Sequence, residues 1–406
     1  MKRILTVMLG VMTAIGGFVD IGNLVTSGVT GSRFGTSLTW AVALGTVAMV
    51  VYGEMAGRIA AVARHSVFHI VRERLGARLA LVNLVGSFAL NLLTVAAEIG
   101  GVALAIQLAS GVSYLLFVPV VGLLAWIVIW RAPFKLMDNA VGLIGLTLLV
   151  FVSALFALHA HWGDLAHAAV HPTVPPGETH LTWWFYAVSL YGACVVPYQA
   201  YFFSSGAMEE GDDLSSMRTS AFVGFPLGGV LSVAIMWAAA VVLQPYQISG
   251  TNLGEVGLPA AAAYGKIGIA LAIIGFVAAT FGACLEAALS TGYMIAQYFG
   301  WPWGKRMRPS QAPEFHVVNM IVLLAGTALV LTAIDPVQLT LVSVVLSAVA
   351  VPLTYFPILV VANDREYLGD KVNGPVRNLL GGLLLIAIVA AAAAAIPLLL
   401  LTKAGQ

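Results

Sequence analysis

The stretch Asp20-Ile21-Gly22-Asn23 interrupts an otherwise apolar segment near the amino terminus, and Gly192-Ala193-Cys194-Val195-Val196-Pro197 interrupts a second one midway along the chain. Each has its own reason to break a helix. Gly22 tolerates backbone conformations that other residues resist. Pro197 has no amide hydrogen, so the carbonyl of Ala193, four residues earlier, loses its helical partner. Paired interruptions at corresponding places in two halves mark a polytopic transporter whose substrate sits where the breaks meet, near the bilayer midplane.

The composition around them agrees. Of 406 residues, 60% are hydrophobic and 9% charged, with a formal net charge of +1 and a mean hydropathy of +0.96. Soluble domains carry about 25% charged residues, so a water-soluble globular protein is excluded. A net charge near zero provides no basic surface for nucleic acid. Cys194 and Cys284 are the only cysteines, both in apolar stretches, and imply no disulfide framework. Met1-Lys2-Arg3 and the apolar run after it resemble the start of a signal peptide, but no small-residue cleavage site follows, and the segment reads as a retained first helix.

A spanning helix needs about 20 mostly apolar residues. Eleven segments qualify: residues 5–31, 37–62, 81–110, 112–130, 137–159, 182–205, 219–243, 267–298, 316–334, 337–361 and 376–401. The expected fold is therefore an all-α polytopic membrane protein with a single transporter domain over 1–406. Spans one to five and six to ten form inverted repeats (1–160 and 181–362), and an extra helix (375–402) lies outside them. With the amino terminus in the cytoplasm, 16 of the 19 Lys and Arg residues fall inside and only Arg33, Lys266 and Lys403 outside. That asymmetry obeys the positive-inside rule, places the carboxyl terminus outside and suits a multi-pass protein of the inner (plasma) membrane. The outer loop over 159–180 holds five of the eight histidines, His159, His161, His167, His171 and His180. Such a tract can gather metal or be a plain polar surface, and Pro172, Pro175 and Pro176 keep it irregular.

A carboxylate at the depth of Asp20 costs about 2.5–3.5 kcal/mol on insertion scales, which calls for a cation as partner. Asn23, three residues on, offers a neutral carbonyl oxygen that can converge on the same ion. The same residues also admit a plain N-cap of the outer half-helix. The freed Ala193 carbonyl, at the carboxyl end of a half-helix, carries partial negative charge that suits a cation, although a proline kink without a ligand role stays open. Glu54 and Arg58, four apart near a span end, read as a structural pair. Glu98 on the third span and Glu286 on the eighth have no basic partner in their own helices. They mark an ion or proton path or are protonated and simply hydrogen-bonded.

Four further motifs join the first break: Val196-Pro197-Tyr198 on the sixth span, Glu54-Met55-Ala56-Gly57-Arg58 closing the second, Ala97-Glu98-Ile99-Gly100-Gly101 on the third, and Thr291-Gly292-Tyr293 before Gly300-Trp301 at the end of the eighth. In this order the chain resembles the NRAMP family of divalent-metal transporters, whose signatures at the two breaks are Asp-Pro-Gly-Asn and Met-Pro-His. The likeness runs through spans one to eight and is weakest in the last three. It implies a LeuT-like fold with discontinuous first and sixth helices. It also implies metal ligands at Asp20, Asn23, the Ala193 carbonyl and the position of Val196. Glu98 or Glu286 is separately expected to act through water, which a hard cation such as magnesium gives up reluctantly.

The chain also departs from that pattern. Val196 replaces a thioether ligand, Tyr198 the histidine and Ile21 the proline, and Val95 stands where the family often has a carboxylate three residues before its glutamate. These changes resemble the divergent NRAMP-related magnesium transporters. The expected function is import of divalent cations, magnesium and manganese, by alternating access and without obligatory proton coupling. The metal is cargo, no cofactor is implied, and the expected partners are the divalent cation and the bilayer, with the protein a monomer. The alternatives are a proton-coupled manganese and iron transporter, or an amino-acid carrier of the same fold, whose substrate carboxylate Asp20 would repel. An intramembrane hydrolase is disfavoured, because neither G-x-S-x-G nor H-E-x-x-H occurs.

Overall fold

The computed structural model describes residues 18–405. The inner part of the first expected span, residues 5–17, lies outside them. Its outer part is α1 (Ile21–Phe34). There follow α2 (Thr39–Ala63), α3 (Val67–Leu75), α4 (Ala77–Ser110) and α5 (Val118–Arg131). Next come α6 (Phe134–Gly145) and α7 (Leu149–Ala157), joined by a 3₁₀ turn, and the short α8 (Trp162–Val170). The sixth span is divided into α9 (His180–Cys194) and α10 (Pro197–Glu210). A π-helical turn over Ser220–Gly224 joins α11 (Leu214–Thr219) to α12 (Phe225–Val242). The chain ends with α13 (Leu253–Phe299), α14 (Pro313–Leu331), α15 (Pro336–Val361), α16 (Arg365–Leu368) and α17 (Pro375–Leu401).

Among the described residues, nine helices are long and apolar enough to cross a membrane. The other two expected spans are the interrupted ones. Proline opens α5, α10, α12, α14, α15 and α17, where its missing N–H costs nothing and its φ is already helical. Thr179 and Asn252 cap α9 and α13 by accepting from Thr182 N and Glu255 N.

Two elements differ from the sequence reading. The eighth span is preceded by a further helical stretch starting at Leu253, and the two meet at a kink where Gly265 has φ 60° and ψ −136°, a conformation open to glycine. The loop over 159–180 contains a helix, with irregular chain only on either side of it. That helix is α8, where Asp164 sits favourably in the first turn and Thr36 Oγ1 fixes the helix by donating to Leu165 O at 2.8 Å.

Close backbone approach sets α1 in place. A Cβ on Gly31 would lie 2.0 Å from the carbonyl oxygen of Met236 on α12, and one on Gly101 of α4 would lie 2.6 Å from Ile21 Cδ1. Small residues at helix crossings serve this purpose in membrane proteins, where dispersion rather than water expulsion drives packing. At the end where α2 and α10 finish, polar ties replace it. Arg58 is fully buried and meets Glu54 at 3.2 Å, as the spacing predicts. It also donates to Lys371 O and Asn373 Oδ1, while Arg218 meets the same Glu54 at 3.1 Å. Lys305 donates to the carbonyls of Val128 and Ile129 at 2.7 and 2.9 Å and to that of Ala132, satisfying the carboxyl end of α5. Burial lowers its ammonium to about 8, against the opposing attraction of Glu209.

Candidate metal site

The site is built at the start of α1. Asp20 has extended backbone angles, φ −86° and ψ 177°, so its side chain turns over the first helical turn and Oδ1 accepts from Asn23 N at 2.7 Å. The Ile21 amide, freed by the same break, donates at 3.3 Å to each carboxylate oxygen of Glu98 on α4. Two acids thus share one helix N-terminus, where amide hydrogens and the helix dipole favour negative charge. Asp20 is 4% exposed and Glu98 1%. Among the described residues neither pairs with a Lys or Arg. Gly22 has no room for a side chain, since a Cβ there would lie 2.7 Å from Val344 Cγ2 on α15 and 3.1 Å from Asp20 Oδ1.

Asn23 is buried beside them with its amide engaged. Oδ1 accepts from Ser232 Oγ of α12 at 2.6 Å and from Ser27 Oγ at 3.3 Å, and Nδ2 lies 3.8 Å from Cys194 Sγ. The Cys194 thiol therefore faces the first break rather than lipid. For the Asn23 oxygen to meet an ion alongside Asp20, the amide must turn or the two hydroxyls must give way.

At the second break α9 ends at Cys194. Val195 (φ −118°, ψ 52°) and Val196 (φ −71°, ψ 134°) are not helical, and α10 starts at Pro197. Val195 N closes the last turn onto Gly192 O at 3.3 Å, while the helical donor to Ala193 O would be Pro197, which has none. Val196 is buried and brings no polar atom. In the first turn of α10 the carbonyl of Tyr198 accepts from Ser290 Oγ of α13 at 3.0 Å. The buried Tyr198 phenol lies within electrostatic reach of Asp20, Glu98 and Glu286. Glu286 is 3% exposed, one turn before Ser290. Next to Tyr198, Gln199 is buried with both amide atoms lacking a hydrogen-bond partner among the described residues. Such a group costs about 1–3 kcal/mol unless a ligand or water meets it.

Ser232, Ser27 and Gln199 are the parts that sequence reasoning missed. Ser27 had a signal, since it stands four residues after Asn23 on one helix face. Ser232 had none, being 209 residues away in sequence.

A sixth span divided at Val195-Val196, and a break before α1 where Asp20 and Glu98 are buried together, fit a multi-pass membrane carrier of the LeuT-like architecture. The particular family follows from comparison: residues 10–397 match the natural resistance-associated macrophage protein-like (Nramp) family, and the chain belongs to it. Among its relatives, the divalent metal cation transporter MntH of Acidiphilium cryptum is 22% identical over 367 residues, covering 87% of this chain and 81% of that protein. MntH of Erwinia tasmaniensis is 23% identical over 390 residues, covering 91% and 88%. Both names are those of transporters rather than enzymes, with metal as cargo. The solved structure of the Eremococcus coleocola manganese transporter superposes with a TM-score of 0.76 at 17% identity over 96% of this chain and 86% of that one. A sodium-coupled sialic acid symporter gives 0.63 at 14% identity over 96% and 89%. The fold is thus shared by carriers of unlike cargo, and the site must supply the selectivity.

Proposed function

We propose that this protein imports divalent cations, magnesium and manganese, by alternating access around the two breaks, without obligatory proton coupling. The observation that carries this reading is the meeting of Asp20 and Glu98 at one helix N-terminus, both buried and neither neutralised by a basic side chain among the described residues. Two such charges repel each other, and a doubly charged ion between them relieves both the repulsion and the burial. An amino-acid substrate would bring a third carboxylate, which the arrangement opposes. The names of the relatives support metal as the cargo.

Oxygen atoms dominate the ligand set: the carboxylate of Asp20, the amide of Asn23 once released, the Ala193 carbonyl, and Glu98 or Glu286 through water. Val196 contributes nothing. Carboxylate, carbonyl and water suit magnesium, manganese and calcium, whereas thioether and thiolate select softer ions. Magnesium gives up its waters reluctantly, and the unpartnered Gln199 amide is suited to hold one. We read 1–160 and 181–362 as the inverted repeats and 375–402 as an added helix. The amino terminus lies in the cytoplasm and the loop over 159–180 outside, and the protein works as a monomer.

The test is uptake into proteoliposomes under a negative-inside potential. Wild type should take up magnesium and manganese, and Asp20→Ala should insert and fold but take up neither. Unimpaired metal uptake by Asp20→Ala would refute the site. Uptake of amino acids in place of metal would refute the function.

A further inference from the structure

The segment between α7 and α9 plays no part in the central site, yet it holds four of the chain's eight histidines, and a fifth, His180, opens α9. α8 gives two of them a fixed relation. His167 lies in its last turn and His171 caps it, and their rings stack with centroids 4.4 Å apart and planes 23° from parallel. Residues four apart share a helix face, so both imidazoles present to the same side, and both are exposed. A second observation concerns the ring itself. His171 Nδ1 lies 3.2 Å from the backbone carbonyl of His167. With the proton on Nδ1 donated there, the Nε2 lone pair is left for a ligand, and metal-bound histidines characteristically direct their other N–H to a carbonyl in this way. The helix is also anchored. Thr36 holds Leu165 O, and the Trp162 ring packs against Phe156 at 4.8 Å and Trp237 of α12 at 6.3 Å.

We propose that His167 and His171 form a two-imidazole chelate for zinc on the outer face, separate from the oxygen-lined centre. Neutral imidazole suits zinc, copper and nickel rather than magnesium, and two protein ligands leave the other positions of a tetrahedral zinc to water.

Equilibrium dialysis of the full chain in nanodiscs with zinc alone tests this on wild type, Asp20→Ala and the double variant His167→Gln/His171→Gln. Wild type and Asp20→Ala should hold zinc equally. The double variant should bind it at least about tenfold more weakly, the scale of loss when a metal site's histidine support is removed. Manganese uptake measured without zinc should be the same in the double variant as in wild type, which also shows that it folds. Undiminished zinc binding by the double variant would overturn the proposal, whether the centre or His159, His161 and His180 then supply the ligands. So would loss of zinc from Asp20→Ala, which would place the ion at the centre.

Discussion

Ser232 Oγ donates to Asn23 Oδ1 at 2.6 Å, tying the middle of α12 to the first turn of α1. The bond occupies the oxygen that a cation beside Asp20 would use, so ion and serine would compete for it. A net hydrogen bond is worth about 0.5–1.5 kcal/mol. Ser232→Ala is therefore expected to tighten manganese binding by about 2- to 10-fold, read as a lower Kd in titrations of the purified protein. Weaker binding in this variant would show instead that the hydroxyl orients the amide for the ion or is itself a ligand.

Val196 lies between two half-helices with a buried, purely apolar side chain. Val196→Met would place a thioether there, a ligand that favours soft ions. Cadmium should then compete against manganese uptake about tenfold more effectively than in wild type, the order expected when 1.4 kcal/mol of new binding is gained. Unchanged cadmium competition in a variant that still transports would mean that position 196 faces away from the ion, and that the soft-ligand argument must pass to Cys194.

Gly31 bears the closest helix crossing on α1, with the Met236 carbonyl oxygen 2.0 Å from where a Cβ would stand. Backbone cannot swing aside as a side chain can, and overpacking costs about 1–3 kcal/mol. Gly31→Ala should lower the thermal midpoint in detergent, while Gly382→Ala, with nothing within 4 Å of the added atom, should leave it unchanged or raise it. Equal midpoints for the two variants would refute the tight crossing.

The breaks were legible because their causes are local. Pro197 lacks an N–H wherever it stands, and an acid such as Asp20 in an apolar run needs an explanation within a few residues. The Glu54–Arg58 pair was legible for the same reason, being one helical turn. The partners of Asn23 were not, because Ser232 and Cys194 reach it only through the tertiary packing of α12 and α9. Ile21 N and Glu98 are 77 residues apart, so an acid without a basic partner in its own helix could be read, but not its role at the end of α1. α8 was missed because three prolines on its carboxyl-terminal side made the whole loop read as irregular, whereas proline constrains only its own position and the residue before it.

Proton coupling needs a titratable route leading from the site, and the structure shows how one of its places is filled. Val95 is fully buried and its Cγ1 would lie 2.8 Å from a Cβ on Gly326 of α14. It packs two helices together and carries no proton. Glu98 is the remaining carboxylate of α4 at the break, held by the Ile21 amide. The proposed import would need no pH gradient as driving force, since a doubly charged ion gains about 4.6 kcal/mol per 100 mV from the membrane potential, twice the value for one elementary charge. Lumenal pH in proteoliposomes should therefore stay flat while manganese or magnesium enters under a negative-inside potential. Lumenal acidification that tracks metal entry, and that disappears when Glu98→Gln replaces the wild type, would show instead that this one glutamate carries a proton with each ion.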